Sequence, residues 1–188
     1  MMTFIIKNLP ILIVITPLMF SLIVAVLSNN RLAWGLSIFA SFLTMIFSIL
    51  LCFEVSNHSS ISYYLGNWPP PLGIEYVIDK VSIIPIMIVS VIGLIATLFA
   101  HNFFTLEIDE KLVSKTYSLW LLTIAGLIGL ITTSDAFNLF VFLEISSLSA
   151  VALVALGSKV DRKALVAGYN YLILGAVGAT FYVIGVGL

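Results

Sequence analysis

The sequence predicts an all-α membrane protein, a bundle of about six transmembrane helices. Of its 188 residues, 61% are hydrophobic and 9% are charged, whereas soluble domains carry about 25% charged residues. The charged residues fall between long apolar runs, and each run is long enough to cross a hydrocarbon core about 30 Å thick as a helix. The alternation that marks a membrane barrel strand is missing from the sequence, so helices must satisfy the backbone hydrogen bonds.

Six apolar runs mark the predicted helices and fill nearly the whole sequence, which predicts a single transmembrane domain over residues 1–188. One connection, from Glu54 to Lys80, is long. Its aromatic and β-branched residues flank the turn sequence GNWPPPLG at residues 66–73, which is typical of a β-hairpin, although an irregular loop is equally consistent. The predicted helices span residues 9–27, 32–53, 81–100, 117–133, 136–157 and 165–188.

Basic residues near the helix ends predict the orientation, because cytoplasmic loops of membrane proteins carry an excess of lysine and arginine. Lys7 and Lys80 lie on the side of the long connection. A larger set of basic residues lies on the other side, which predicts that the N-terminus and the long connection are outside the cell. This larger set consists of Arg31, Lys111, Lys115, Lys159, Arg162 and Lys163.

Glu144 is a carboxylate inside an apolar run, where charged residues are rare. At about 1.5 Å per residue, it lies roughly 12 Å from one end of the predicted fifth helix and roughly 19 Å from the other. Inserting an acidic residue near the bilayer centre costs roughly 2.5 to 3.5 kcal/mol. Such a residue usually faces a partner or a water-filled path and takes part in proton or ion movement. A structural role, held by a hydroxyl or amide of a neighbouring helix, is the alternative.

Four other polar residues are candidates for accessory roles. Ser147 lies one turn from Glu144 on the same side of the helix. Asp135 and Asn138 stand at the start of that helix, where capping is the first explanation for both. His101 ends the third apolar run, and histidine titrates near neutral pH, although an interfacial histidine is more often incidental. The sequence contains no motif of metal-binding, phosphate-binding or nucleophilic type, so it predicts no metal site, no cofactor and no catalytic centre.

Charge elsewhere in the chain is modest. The net charge of −1 and the lack of a basic face give no reason to expect a nucleic acid partner. Glycines in the last run, among them Gly175 four residues before Ala179, predict close helix packing. A mixed charge cluster between the third and fourth runs is predicted to be a solvated loop with weak ion pairs. The cluster consists of Glu107, Asp109, Glu110, Lys111 and Lys115.

Three motifs, in order, resemble one family of membrane proteins. The string TTSDAFNLFVFLEISSLSAVALVALG, residues 132–157, closely resembles the fifth helix of the antiporter-like subunits. These subunits are shared by Mrp-type sodium/proton antiporters, respiratory complex I (NADH-quinone oxidoreductase) and related membrane-bound hydrogenases. The string LGNWPPPLGIEYVIDKVS, residues 65–82, resembles the external loop and third-helix entry of the D-type group of Mrp antiporter subunits. The string YNYLILGAVGATFYVIGVGL, residues 169–188, resembles that group's sixth helix.

The resemblance implies a role for Glu144. In the family, the fifth-helix glutamate is a protonatable residue of the ion path and works with a lysine on a later, broken seventh helix; by motif, that glutamate falls on Glu144. The lysine has no counterpart in this sequence, which corresponds to the N-terminal portion of a family member of about fourteen helices. Asn170 also departs from the family pattern, because relatives often carry lysine or glutamine there and an amide cannot take up a proton.

Two functions remain open at this stage. The first is a proton-translocating subunit of cation/proton antiporter type in a prokaryotic cell membrane, within a Mrp antiporter or a complex I-like assembly. Its partners are then the bilayer, other membrane subunits, protons and, as the candidate counter-ion, sodium. Any electron transfer belongs to partner subunits. The second is a non-transporting membrane scaffold or assembly subunit. The two differ in whether a lysine-containing broken helix follows Leu188 in the natural reading frame.

Overall fold

The computed structural model describes residues 7–157 and 161–188. These residues contain six α-helices that are long and apolar enough to cross a membrane, which confirms the predicted membrane fold. Helices α1 to α3 span Leu9–Val26, Asn30–His58 and Ile83–Glu107, and helices α4 to α6 span Glu110–Thr132, Ala136–Leu156 and Lys163–Gly187.

Several helices extend beyond the apolar runs that predicted them. Helix α2 continues to His58, past the predicted end at Phe53. Helix α3 continues to Glu107, past the predicted end at Ala100. The physical reason is that hydropathy marks the part of a helix inside hydrocarbon, whereas helical hydrogen bonding continues into the polar interface.

The prediction of a solvated loop between the third and fourth helices is wrong. Helix α3 ends at Glu107 and helix α4 begins at Glu110, so that Ile108 and Asp109 connect them. Ile108 is buried. Glu110 stands in the first turn of α4, where a negative charge interacts favourably with the helix dipole. The remaining members of the charge cluster, Lys111 and Lys115, are exposed residues in the first two turns of α4.

The long connection between α2 and α3 folds into an antiparallel β-hairpin. Strand β1 covers Ser60–Tyr64 and strand β2 covers Glu75–Asp79, with Ser60 opposite Asp79. The chain turns between them with a positive φ of 64° at Gly66, a conformation that glycine adopts without steric cost. The hairpin interpretation is therefore confirmed over the irregular loop.

Two contacts fix the hairpin to one end of the bundle, which is called the hairpin end below. The Tyr63 hydroxyl donates a hydrogen bond to the Asn8 side-chain oxygen at 3.0 Å, next to the start of α1. On the other strand, Tyr76 forms a β-bridge with Thr133 in the α4–α5 connection. The hairpin thus links the start of α1 to the connection that leads into α5.

Helix α4 lies at the centre of the bundle. It packs against α1, α2, α3 and α5, whereas α6 packs chiefly against α5. Two clusters of buried side chains fill the interior of the described part of the chain. One lies towards the hairpin end and includes Leu9, Leu51 and Ile128. The other lies towards the opposite end and includes Val24 and Tyr117.

A hydrogen-bonded node at Thr97 joins three helices in this interior. The Thr97 hydroxyl donates to the Gly93 carbonyl at 2.7 Å and accepts a hydrogen bond from the Trp120 indole N–H of α4 at 2.9 Å. It also lies 3.2 Å from the Ser41 hydroxyl of α2. The Thr97 carbonyl accepts from the Trp34 indole N–H at 3.1 Å. Because polar groups inside a membrane need protein partners, this node stabilises α3 against α2 and α4.

Candidate functional site

Helix α5, which carries Glu144, begins at a capped turn. The Asp135 carboxylate accepts a hydrogen bond from the Asn138 backbone N–H at 2.6 Å. The Asn138 side chain in turn donates to the Thr133 hydroxyl at 3.0 Å. Both predicted accessory residues therefore stabilise the start of α5. Asp135 lies nine residues from Glu144, roughly 13 Å along the helix axis, so the structure does not bring the two carboxylates together.

The hairpin contributes one aromatic residue to the start of α5. The Tyr76 ring lies against Phe142 of α5, with ring centroids 6.4 Å apart. Burial raises the pKa of Tyr76, and the neighbouring Asn138 side chain lowers it by a smaller amount. Tyr76 therefore stays a neutral hydrogen-bonding residue at neutral pH and contributes no charge near the entrance to α5.

Glycines of α4 bring α5 close to the bundle. A methyl group placed on Gly126 would lie 2.7 Å from the Ser146 backbone nitrogen, and one placed on Gly129 would overlap the Phe142 ring. Residues on a helix are separated by about 100°, so Glu144 lies almost opposite Phe142 and Ser146. The tight contact with α4 therefore turns the Glu144 side of α5 away from α4.

The Glu144 side of α5 packs against α6. Gly175 of α6 faces Ser147, and a methyl group on Gly175 would lie 2.8 Å from the Ser147 hydroxyl oxygen. Gly168 faces Ala155 in the same way, at 3.5 Å. The close packing predicted for this helix is confirmed at these two glycines.

Glu144 lines a cleft of about 350 Å³ between α5 and α6. Its side chain is partly buried. Of the described residues that line the cleft, Thr180 is the other polar one, and its hydroxyl donates to the Ala176 carbonyl at 2.7 Å. The cleft thus presents one ionisable group against largely apolar walls. Its lining consists of Phe140, Glu144, Ala176, Ala179, Thr180, Val183 and Ile184.

Within residues 7–157 and 161–188, no hydrogen bond or ion pair reaches the Glu144 carboxylate. Few side chains of α5 and α6 are buried within this part of the chain, so the cleft is open at the side.

The structure brings together some of the predicted site residues and not others. Ser147 lies beside Glu144 on the α6 side of α5, as predicted. His101 lies on α3, where its ring stacks on Trp34 with centroids 4.5 Å apart, and α3 packs against α2 and α4. Asn170 is exposed on α6.

Sequence reasoning named Ala179 as a packing residue but did not identify the other residues that position Glu144. Gly126 and Gly129 fix the distance between α4 and α5, and Ala176, Ala179 and Thr180 form the wall opposite the carboxylate. Gly126 lies three positions before Gly129, and Ala176 lies three before Ala179 and four before Thr180, close to the spacing of small residues at helix contacts in membranes. That spacing could have indicated helix contacts at these residues, although it does not reveal which helix packs against which.

The fold and the site define this chain as a polytopic helical membrane protein with an ionisable residue between two of its spans. Comparison with known proteins shows which proteins the chain is similar to. The chain is similar to membrane subunits of NADH-quinone oxidoreductases and antiporters. It is 39% identical to NADH-quinone oxidoreductase subunit N of Desulforudis audaxviator over 183 residues, and 34% identical to the antiporter subunit mnhD2 of Staphylococcus epidermidis over 186 residues. These matches cover 96% and 97% of the chain but 36% of each relative.

Two solved structures are similar to the chain as well. A chain of the membrane-bound sulfane sulfur reductase, an archaeal respiratory membrane complex, superposes with a TM-score of 0.86 at 30% identity, over 95% of this chain and 36% of that one. A chain of the Mrp complex from Dietzia shares the fold, with a TM-score of 0.82 at 24% identity, over 98% of this chain and 34% of that one. No family model matches the chain. The resemblance inferred from the three motifs is thereby confirmed.

Proposed function

We propose that this chain is a proton-translocating membrane subunit of cation/proton antiporter type, and that Glu144 binds the transported proton. The observation that carries the proposal is the position of Glu144 in the open α5–α6 cleft. At about 1.5 Å per residue, the glutamate lies roughly 12 Å from Ala136 and roughly 18 Å from Leu156, so the cleft is near the middle of α5.

The chemistry of the cleft supports this role. A carboxyl group can bind and release a proton, and the approach of a cation stabilises its charged form. A proton can then leave when a positively charged partner arrives and return when that partner withdraws. In the family, this partner is a lysine on a later helix. The resemblance of residues 132–157 to the fifth helix of that family implies that Glu144 corresponds to its glutamate, which supports the proposal.

The relatives support an assembly of several subunits. They are named as subunits of an NADH-quinone oxidoreductase and of an antiporter, so we propose other membrane subunits as partners and sodium as the candidate counter-ion. This chain spans about a third of the length of those relatives, and the activity proposed is that of the complete complex. Bond-making and electron transfer are assigned to partner subunits.

The proposed orientation places the hairpin outside a prokaryotic cell. Lys7 and Lys80 lie at the hairpin end, while the opposite end carries more basic residues. Those that the structure describes there are Arg31, Lys111, Lys115, Arg162 and Lys163, and Lys159 lies outside the described residues. A cysteine introduced at an exposed position of β1 should react with a membrane-impermeant reagent from outside intact cells, and reaction from the cytoplasm would reverse the orientation.

The test of the function is Glu144→Gln in the complete complex. An amide keeps the size of the side chain but cannot exchange a proton, so proton transport into inverted membrane vesicles should fall at least about tenfold, equivalent to about 1.4 kcal/mol in a rate barrier. Glu107→Gln, at the end of α3, is the matched control and should transport normally. If an assembled Glu144→Gln complex transports at the wild-type rate, the role of Glu144 is wrong and the non-transporting scaffold is favoured.

A further inference from the structure

The hairpin contacts the start of α5 through strand β2. Tyr76 forms a β-bridge with Thr133. The Ser134 backbone N–H donates a hydrogen bond to the Glu75 carbonyl at 2.9 Å. Thr133 and Ser134 stand immediately before Asp135, which caps α5. Because these are contacts of the backbone, they fix the path of the chain, and strand β2 determines where α5 begins.

The Tyr76 side chain reaches further along the same helix. Its ring lies against Phe142, with the two centroids 6.4 Å apart, and its hydroxyl interacts with the Asn138 side chain. Asn138 and Phe142 are four residues apart, so they lie on one side of α5, one turn from each other. Tyr76 is 3% exposed, which means that residues of this chain enclose its side chain.

Few buried side chains hold α5 within the described part of the chain. Phe142 and Ser149 are the buried residues of this helix there. Phe142 contacts the Tyr76 ring, and it also approaches Gly129 of α4 so closely that a methyl group on that glycine would overlap its ring. Tyr76 therefore contacts the larger of the two buried side chains by which α5 is held.

The rotation of α5 determines where its carboxyl group points. Glu144 follows Phe142 by two residues, so the two side chains project about 200° apart around the helix. Any rotation of α5 that displaces Phe142 therefore displaces Glu144 as well. At a helix radius of about 5–6 Å, a rotation of about 10° moves a side chain by roughly 1 Å. A displacement of about 1 Å at a reacting group can slow a reaction about 100-fold.

We propose that Tyr76 is a positioning residue for Glu144: its contacts with Phe142 and Asn138 hold α5 in the rotation that directs the carboxyl group into the α5–α6 cleft. The inference rests on the proposed function of Glu144. It adds that the hairpin, at one end of the bundle, controls a proton-binding residue near the middle of α5. The Asn138 side chain also donates to the Thr133 hydroxyl at 3.0 Å, so the contact with Tyr76 extends to the turn before the helix.

The test compares complete complexes by infrared difference spectroscopy between acid and alkaline pH and by proton transport. The carboxylic acid band of Glu144 is the band that Glu144→Gln lacks. Tyr76→Ala removes both side-chain contacts, so it should shift the frequency of this band and slow transport severalfold. Tyr76→Phe keeps the ring against Phe142 and should restore most of the transport. A merely structural role of Tyr76 would lower thermal stability without moving the band.

Tyr63→Phe is the matched control on the other strand of the hairpin. Tyr63 lies directly opposite Tyr76, but its hydroxyl binds Asn8 beside α1 rather than a residue of α5. The Glu144 band and the transport rate should therefore be unchanged in Tyr63→Phe. An equal shift of the band in Tyr63→Phe and Tyr76→Ala would mean that general loosening of the hairpin is responsible, and it would overturn the role of Tyr76.

The remaining outcomes separate this inference from the proposed function. If Glu144→Gln loses the band and the transport while Tyr76→Ala leaves both unchanged, Tyr76 does not position Glu144 and the proposed function stands. If Glu144→Gln loses neither, the proposed function fails and this inference fails with it. If Tyr76→Ala does not assemble, Tyr76→Leu keeps apolar bulk beside Phe142 without the ring or the hydroxyl. A shifted band in that variant supports the proposal, and an unmoved band overturns it.

Discussion

Ser147 on α5 and Gly175 on α6 approach so closely that a methyl group on Gly175 would lie 2.8 Å from the Ser147 hydroxyl oxygen. This contact stands one turn from Glu144. The separation of the two helices at the cleft therefore depends on the small size of residue 175. The first prediction tests this dependence.

Gly175→Ala should destabilise the complex modestly, by about 1 kcal/mol, because the new methyl group meets the end of a side chain that can rotate away. Adding Ser147→Ala removes the opposing hydroxyl and should restore most of the loss. Thermal unfolding in detergent measures both effects as a double-mutant cycle. Gly178→Ala is the control, since a methyl group there meets nothing within 4 Å among the described residues. Equal effects of the two alanine substitutions would contradict the close contact.

The α4–α5 contact should tolerate a methyl group less well. At Gly126 the new atom would meet the Ser146 backbone nitrogen at 2.7 Å, and backbone cannot rotate away. Gly126→Ala should therefore cost about 1–3 kcal/mol and should also slow proton transport, because shifting α5 moves Glu144. Gly185→Ala, in open space on α6, should be neutral or stabilising by up to about 1 kcal/mol, since alanine favours helix over glycine. Thermal unfolding and proton transport are measured for both variants. Equal stability and equal transport of the two would contradict the prediction.

The hairpin should lose part of its attachment when the hydroxyl of Tyr63 is removed. Tyr63→Phe deletes the hydrogen bond to Asn8, which is worth about 0.5–1.5 kcal/mol. Amide hydrogen exchange in the first turn of α1 should accelerate accordingly. Tyr64→Phe provides the matched control, because Tyr64 is exposed on the next position of the strand. If the two variants exchange alike, the Tyr63–Asn8 bond does not hold the hairpin.

Acid should weaken the hydrogen bond between Asp79 and Ser82 at the start of α3. The Asp79 carboxylate accepts a hydrogen bond from the Ser82 backbone N–H at 2.7 Å, and the pKa of Asp79 is lowered from its ordinary value of 3.8, chiefly by that bond. A carboxyl group with a lowered folded pKa stabilises the fold above its ordinary pKa, and this contribution is lost as the pH falls through the folded value. Exchange protection at Ser82, corrected for intrinsic rates, should therefore decrease as the pH falls below 3.8.

The control for this pH dependence is Asp79→Asn. An amide oxygen still accepts a hydrogen bond but does not titrate, so the protection of Ser82 should become independent of pH over the same range. A variant whose protection follows the same pH curve as the unmodified protein would show that another group is responsible.

The sequence predicted the membrane fold because long apolar runs have few alternative structures in a bilayer. The hairpin was one of two interpretations, and the structure decided between them through the pairing of Ser60 with Asp79. The helix ends were less predictable. Glu107 and Glu110 belong to helices although their charges suggested a loop, because helical hydrogen bonds persist where the chain leaves hydrocarbon.

The candidate site was predictable in part. A single charge in an apolar run identified Glu144, and helical spacing placed Ser147 beside it. The opposite wall was not predictable, because Ala179 and Thr180 reach Glu144 only through the packing of α6 on α5. That packing depends on small residues distributed over several helices, such as Gly126 and Gly175, and the sequence does not state which pairs meet.

The most direct test of the central claim is infrared difference spectroscopy of the complete complex between acid and alkaline pH. If Glu144 takes up and releases a proton in the cleft, the spectrum contains a carboxylic acid carbonyl band that disappears on deprotonation. This band should be lost in Glu144→Gln and retained in Glu107→Gln. Identical difference spectra for the unmodified complex and Glu144→Gln would contradict the claim that Glu144 is the proton-binding residue.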